Sequence, residues 1–368
     1  MKVLVTGANG FIAKNLISFL SEKKDIEIFS YSKESTDEEL AGHIQNSDFI
    51  FHLAGVNRPK DKSEFAAINT GLTEKIVNLA KASNRRIPIL FSSSTQAELE
   101  NEYGKSKSDA EKAILKYSRD VDTPVYIFRM PNVFGKWTKP NYNSVVATFC
   151  HNIARTLPIQ INDPNTEITL VYIDDVVGHF WNMLSGVESK NTFVEINPKY
   201  KITLKELADI LYSFRDSRIN LITERVGTGL TRALYSTYMS YLEPNSFVYG
   251  VPSYKDERGV FVEMLKTKDS GQFSFFTAHP GVTRGSHYHH SKSEKFLVIK
   301  GKARFQFRHI LTNERHEILT SGDKFEIVET IPGWTHDISN IGTDEMVVML
   351  WANEIFDRSK PDTYSQKV

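Results

Sequence analysis

The chain has 368 residues, more than one ordinary hydrophobic core holds, so two domains are expected. Lys plus Arg and Asp plus Glu both number 45, and the zero net charge excludes a broad nucleic-acid or membrane-surface footprint, leaving small molecules as ligands. The single Cys150 excludes an internal disulfide framework and fits a reducing cytosol, and no run of about 18 apolar residues suggests a membrane span.

In chain order, Val3–Thr6 is the first β-rich run, with no positively charged leader before it, so a cytoplasmic protein is expected. Asn15–Glu22, Ile26–Tyr31, Phe49–Leu53, Leu72–Ala82, Ile87–Ser92, Lys107–Tyr117 and Val125–Arg129 then alternate between helical and strand patterns. That alternation predicts an α/β Rossmann-type, doubly wound parallel sheet covered on both faces. Ile168–Tyr172 and Leu204–Phe214 continue it into a lobe over the sheet.

After about residue 250 the texture changes. Phe261–Leu265, Gln272–Thr277, Lys295–Ile299, Ala303–Arg308, Asp323–Glu329 and Met346–Trp351 are short runs separated by Gly, Pro, Asn and Asp. They predict an all-β antiparallel barrel or jelly roll. Glu243-Pro244-Asn245-Ser246 punctuates the change, giving expected domains of 1–245 and 246–368.

Gly7-Ala8-Asn9-Gly10-Phe11-Ile12-Ala13 joins the first strand to the first helix. Glycine lets such a turn approach a pyrophosphate, and the helix N-terminus offers free N–H groups and a favourable dipole. Gly7, Asn9, Gly10, Phe11 and Ile12 are therefore candidates to hold a dinucleotide. At the end of the second strand Ser30-Tyr31-Ser32-Lys33 offers hydroxyls and a cation where an acid would hold the ribose of NAD. Ser32 and Lys33 favour the additional phosphate of NADP, so NADPH is expected over NADH.

Tyr103 and Lys107, four residues apart, share one helix face. A lysine ammonium beside a phenol favours phenolate, and a tyrosine so tuned can protonate a carbonyl oxygen as hydride reaches the carbon. Ser92-Ser93-Ser94 ends the preceding strand and can place a hydroxyl on the same oxygen.

By these motifs, residues 1 to about 240 resemble an extended short-chain dehydrogenase/reductase acting on nucleotide sugars. Phe51-His52-Leu53-Ala54-Gly55 resembles that family's fourth-strand signature and implies cofactor contacts at Leu53, Ala54 and Gly55. Arg129-Met130-Pro131-Asn132-Val133-Phe134-Gly135 resembles its substrate-side loop, and Val171-Tyr172-Ile173-Asp174-Asp175-Val176 a later strand motif. The resemblance implies a triad of Ser94 (or Ser93), Tyr103 and Lys107, with Lys107 also holding the ribose. Arg129, Asn132 and Lys136 are candidates for gripping substrate near its diphosphate. Ala13 departs from the usual third glycine, and the short serine-to-tyrosine interval leaves the choice among the three serines open. His52 is expected to pack rather than to act as acid or base.

Seven of the 11 histidines lie between His279 and His336. On a strand, His287 and His289 face one side, and Glu294 and His336 can reach the same interior from neighbouring strands. Three imidazoles and a carboxylate suit Zn²⁺ or another divalent transition ion. The spacing is that of the cupin family. His290 is expected to point outward, and His309 and His316 to be solvated. The alternative is a metal-free histidine pocket for an organic ligand. Asp256-Glu257-Arg258-Gly259-Val260-Phe261 with Arg284-Gly285-Ser286-His287-Tyr288 resembles the metal-free dTDP-4-keto-sugar epimerases. That likeness implies that His287 abstracts a proton beside a sugar ketone, so His287 is claimed both as ligand and as base.

Reductase followed by cupin resembles the CapF-type bifunctional enzymes of bacterial capsule and O-antigen synthesis over essentially the whole chain. Lys136-Trp137-Thr138-Lys139-Pro140-Asn141-Tyr142-Asn143-Ser144 and Gly333-Trp334-Thr335-His336 add to the match. It implies a UDP-linked 2-acetamido-2,6-dideoxy-4-hexulose as substrate, epimerised at position 3 by the cupin and reduced at position 4 with NADPH. One competing reading is a reductase whose cupin only binds sugar or metal and assembles a dimer; the other is a non-reducing epimerase or dehydratase. A homodimer is expected.

Overall fold

The computed structural model describes residues 1–59, 61, 63–186 and 192–368. The chain divides into two compact units, Met1–Leu211 with Ala233–Leu242 and Tyr212–Arg232 with Glu243–Val368.

In the first unit β1 (Lys2–Thr6), β2 (Glu27–Tyr31), β3 (Phe49–His52), β4 (Ile89–Ser94) and β5 (Val125–Met130) form a parallel sheet in the order β2-β1-β3-β4-β5. Every position of β3 is buried, as both faces of a doubly wound sheet require. The strand order turns back between β1 and β3, and an open α/β sheet binds ligand beyond the C-terminal ends of strands at such a reversal. The intervening helices are α1 (Phe11–Ser21), α2 (Asp37–Asn46), α3 (Leu72–Ala82) and α4 (Glu102–Val121).

Helix α2 is absent from the sequence reading, because its apolar content is low. Its start is nonetheless written in Thr36-Asp37-Glu38-Glu39, a reciprocal capping box in which Thr36 Oγ1 accepts from Glu39 N and the Glu39 carboxylate accepts from Thr36 N. A π-helical turn at Phe65–Gly71, equally unforeseen, leads into α3. A smaller sheet of β6 (Asn132–Phe134), β7 (Glu167–Tyr172) and β8 (Tyr200–Thr203) follows, with α5 (Val145–Ala154), α6 (Ile173–Leu184) and α7 (Leu204–Asn220). Cys150, on α5, is buried and packs as a small hydrophobe.

Beyond α7 come β9 (Ile222–Thr223) and α8 (Gly229–Met239). The second unit continues with β10 (Ser253–Asp256), β11 (Gly259–Thr267), β12 (Gly271–Ala278), β13 (Thr283–Tyr288), β14 (Glu294–Lys300), β15 (Lys302–His309), β16 (Arg315–Ser321), β17 (Ile327–Thr330), β18 (Trp334–Asn340), β19 (Met346–Ala352) and β20 (Tyr364–Ser365). One sheet runs β10-β11-β12-β19-β14-β17 and the other β16-β15-β18-β13-β20, all antiparallel. Residues 212–232, ahead of the expected boundary, cluster here because β9 pairs with β11.

Phe276, Phe296, Phe305, Phe307 and Val348 from the two sheets meet in one apolar core, the jelly-roll arrangement that alternating strands produce. The strand expected from Asp323 begins only at Ile327, since Lys324 N closes a turn onto Ser321 O. No helix among the described residues is long and apolar enough to cross a membrane.

Candidate active sites

The turn between β1 and α1 needs its glycine. Gly7 sits at φ +68°, and a Cβ there would lie 2.7 Å from Ala54 Cα and 2.8 Å from Ala54 N. Thr6 Oγ1 accepts from Leu53 N and Ala54 N at 3.2 Å each, which ties the loop after β3 to this turn. No side chain caps α1, so the N–H groups of its first turn remain available to an anion. Ala13 is buried, and its small side chain fills the place of the usual third glycine. A bare backbone cradle facing an uncapped helix fits a dinucleotide pyrophosphate.

At the end of β2 the polar cluster is mixed. Ser32 Oγ donates to Glu34 at 2.6 Å, Asn9 Nδ2 donates to the same carboxylate at 3.0 Å, and the exposed Lys33 ammonium lies 4.0 Å away. The sequence reading ended at Lys33 and missed Glu34. A carboxylate there is the group that holds free ribose hydroxyls in NAD sites.

Asn101 caps α4 by accepting from Gly104 N at 2.8 Å, and the first turn of the helix carries Tyr103. Burial raises the Tyr103 pKa above its ordinary value, and the Ser94 hydroxyl pulls it part of the way back. The expected lowering by Lys107 is therefore not the state found. The Lys107 ammonium donates to Ser92 O at 2.9 Å, and its own pKa is depressed by burial from 10.5 to about 8, against the attraction of Glu111. Gly55 permits this approach, because a Cβ there would stand 3.1 Å from Lys107 Nζ.

The three serines separate by partner. Ser94 acts on Tyr103, Ser93 Oγ donates to the buried Glu111 carboxylate, and Ser92 Oγ donates to His52 O at 3.4 Å. Glu111 was missed as well, although it follows Lys107 by the same four-residue step that separates Tyr103 from Lys107. Asn69, on the π-helical turn, was also missed. Its amide bonds both polar groups of Val56 and the Ser106 hydroxyl, fastening the loop after β3 to α4.

Arg129 requires a correction. Its Nε and NH2 donate to Glu111 at 3.0 and 2.6 Å, and NH1 donates to Glu98 at 2.6 Å. With both edges of the guanidinium held by carboxylates, Arg129 is a structural ion-pair partner rather than a free anchor for a diphosphate. Asn132 bonds Thr169 O at 3.2 Å, and Lys136 reaches Asp174 at 2.8 Å beside the exposed Trp137. His52 is wholly buried between Thr6 Oγ1 and Thr73 Oγ1, and burial depresses its pKa to about 3, as a packing histidine requires.

In the second unit His287 lies on β13 opposite His336 on β18, and Glu294 opens β14. One donor atom from each of His287, His289, Glu294 and His336 falls within 4.8 Å of the others. His289 convergence has a different cause from the one expected. Strand β13 ends at Tyr288, with a register shift between Gly285 and His287 and Ser286 at φ +58°. His289 thus reaches the cluster from the following loop, not by strand alternation. His290 is exposed, as expected.

The electrostatics of the cluster favour a cation. His289 Nδ1 lies 2.6 Å from Asp362 O, which only accepts, so Nδ1 carries the proton. In the neutral ring Nε2 then directs a lone pair at Glu294 Oε2, 3.3 Å away, and His336 Nε2 approaches the same oxygen at 3.4 Å. Burial alone would raise Glu294, yet contacts from His289 and His336 hold it well below the carboxylate range. Burial first, and then His336, lowers His287 to about 4. With Nδ1 of His289 the donor to Asp362 O, its Nε2 meets the Glu294 carboxylate only through a shared proton or a cation, and three imidazoles with one carboxylate fit a divalent ion.

The first unit's sheet, glycine turn and Ser–Tyr–Lys cluster define a nicotinamide-dependent enzyme of the nucleotide-sugar type. Residues 3–197 match the model of the NAD dependent epimerase/dehydratase family, and residues 254–364 that of the polysaccharide biosynthesis C-terminal domain. A UDP-2-acetamido-2,6-beta-L-arabino-hexul-4-ose reductase from Pseudomonas aeruginosa is 61% identical over 368 residues, 100% of this chain and 99% of the relative. The crystal structure of the capsular polysaccharide assembling protein CapF from Staphylococcus aureus superposes with a TM-score of 0.93 at 42% identity, covering 100% of both chains. UDP-glucose 4-epimerase from Thermotoga maritima shares the fold over 66% of this chain, with a TM-score of 0.56 at 20% identity. The chain belongs to the NAD dependent epimerase/dehydratase family and, along its full length, is an oxidoreductase of the CapF type.

Proposed function

We propose that the chain is a bifunctional nucleotide-sugar enzyme. Its second unit epimerises position 3 of a UDP-2-acetamido-2,6-dideoxy-4-hexulose, and its first unit reduces the 4-ketone with NADPH to a UDP-N-acetyl-6-deoxy-L-talosamine-type product. The observation that carries this reading is the full-length relation, at 61% identity, to a protein named as the reductase of a UDP-linked hexul-4-ose.

The dinucleotide, when bound, supplies the hydride, and Gly7, Asn9, Gly10, Ala54 and Gly55 would hold it; Ser32 and Lys33 would meet a 2′-phosphate once they exchange Glu34 for it, the carboxylate turning outward. Tyr103 donates its phenolic proton to the oxygen of the ketone, and Ser94 orients that oxygen. Lys107 keeps a positive charge beneath the site, favouring phenolate once the proton has left. Asn132 and Lys136 grip the sugar nucleotide.

Position 3 carries an acidic proton only while position 4 is a ketone, so epimerisation precedes reduction. His289, Glu294 and His336, all buried, would hold a divalent ion such as Zn²⁺, whose chemistry there would be to polarise a ketone oxygen. His287 is the least buried of the four and is neutral at pH 7, so its ring nitrogen is able to accept the position-3 proton. A second reading has one observation in its favour: the printed name of the Pseudomonas relative mentions reduction alone. In that reading the cupin binds without catalysing.

Solvent deuterium incorporation at position 3 separates the two. His287→Ala should abolish it, whereas Tyr103→Phe should retain it while losing NADPH oxidation. No enzyme-dependent deuterium uptake in the wild-type protein leaves the single-activity reductase, and uptake undiminished in His287→Ala removes His287 as the base.

A further inference from the structure

The loop that carries His289 is held from the opposite end of the unit's sequence. Strand β20 pairs with β13, setting Ser365 opposite His287 and Tyr364 opposite Tyr288, with the two tyrosine rings stacked at 5.3 Å. Just before β20, the Asp362 carboxylate accepts from the backbone N–H of His290, Ser291 and Lys292 at 3.0, 2.9 and 2.9 Å, and from the Ser291 hydroxyl at 3.0 Å. The Asp362 carbonyl is the acceptor for His289 Nδ1. Further along, Gln366 N donates to Ser286 O at 2.9 Å, and Gln366 O accepts from Thr335 Oγ1, next to His336, at 2.6 Å.

Asp362, Tyr364, Ser365 and Gln366 therefore touch the neighbourhoods of three of the four clustered side chains. The barrel's apolar core extends no further along the chain than Leu350, and Tyr364 and Ser365 are exposed. The tail is thus attached by polar contacts and by the Tyr364 ring against Tyr288 and His290, rather than by burial in the barrel core. A carboxylate that receives three successive backbone N–H groups fixes the course of the loop, and a carbonyl at Nδ1 fixes both the tautomer and the plane of the His289 ring.

We propose that Asp362 is a positioning residue for the histidine cluster: from the C-terminal tail it pins the 290–292 loop and sets the His289 ring, so that Nε2 always presents its lone pair to the ion. The tail is a clasp on the site. This inference rests on the reading of the cluster as a metal site.

The test uses the full-length chain. Asp362→Ala keeps the backbone carbonyl but releases the 290–292 loop from the carboxylate, so that the carbonyl no longer stays on His289 Nδ1. It should weaken Zn²⁺ binding against a chelating dye by about 10-fold, the low end of the usual effect of disturbing a group that orients a metal-bound histidine. Asp362→Asn, which keeps one acceptor oxygen, should lose less. It also serves if the alanine variant fails to fold. In parallel, long-range proton–nitrogen spectra of histidine-labelled, chelator-treated protein should show His289 as the Nδ1–H tautomer in the wild type and as a tautomer mixture in the variants. Wild-type zinc affinity together with an unchanged His289 tautomer in both variants overturns the clasp. A wild-type protein that takes up no zinc overturns the metal reading instead, and the tautomer comparison alone then decides the clasp.

Discussion

Replacing Lys107 with methionine tests the reductase site through stability as well as activity. The side chain is 4% exposed, and burial lowers its pKa from 10.5 to about 8. Holding the charge in the folded protein at neutral pH therefore costs about 3 kcal/mol relative to the unfolded chain. Lys107→Met removes that cost but leaves Ser92 O without its 2.9 Å donor, a loss of about 1 kcal/mol. The variant should be more stable than wild type by about 1–2 kcal/mol at pH 7, while NADPH-dependent reduction falls by about 100-fold or more.

The pH dependence supplies the sharper comparison. Between about 8 and 10.5 the unfolded chain keeps this proton and the folded chain does not. Wild-type stability must then rise with pH, relative to the variant, by up to about 1.4 kcal/mol for each pH step of one, and the advantage of the variant disappears by the top of that window. Urea melts of both dinucleotide-free proteins at pH 7, 8.5 and 9.5 measure this directly, because groups that do not interact with Lys107 cancel in the difference and His52, which feels the Lys107 charge, titrates far below this range. A difference that stays constant across that range refutes the depressed lysine and the role derived from it.

Arg129→Ala should destabilise the protein by about 3 kcal/mol, since it strands the buried Glu111 carboxylate, while the KM for sugar nucleotide in the surviving enzyme stays within about twofold. Unchanged denaturant stability with a large rise in KM would restore Arg129 as a substrate anchor. Gly7→Ala should lower the melting temperature and weaken dinucleotide binding, because its Cβ meets backbone atoms of Ala54 at a positive φ; the strain is about 1–3 kcal/mol. Fluorescence titration with NADPH and a thermal melt check it, and wild-type values in both would count against the close-packed turn.

Much of the site was legible because its spacing lies within single elements. Gly7 to Gly10, Tyr103 to Lys107 and the histidines around β13 are set by local periods of turn, helix and strand, and these survive in any sequence written out in order. The same local periods point to Glu111 and to the Thr36 capping box, although neither is singled out from the sequence above. It failed at Arg129, whose motif resembles a substrate loop. Its side chain instead meets Glu98 and Glu111, 31 and 18 positions earlier in the chain.

Chain order and residue types alone determined the two architectures, the glycine turn after β1 and the identity of the four clustered donors, since each depends on backbone geometry repeated over a few residues. Only the folded chain decided which serine faces Tyr103, that burial outweighs the lysine in setting the tyrosine pKa, and that Asp362 reaches back 73 positions to orient His289. Desolvation and long-range pairing depend on what surrounds a side chain in three dimensions. No one-dimensional pattern carries that information.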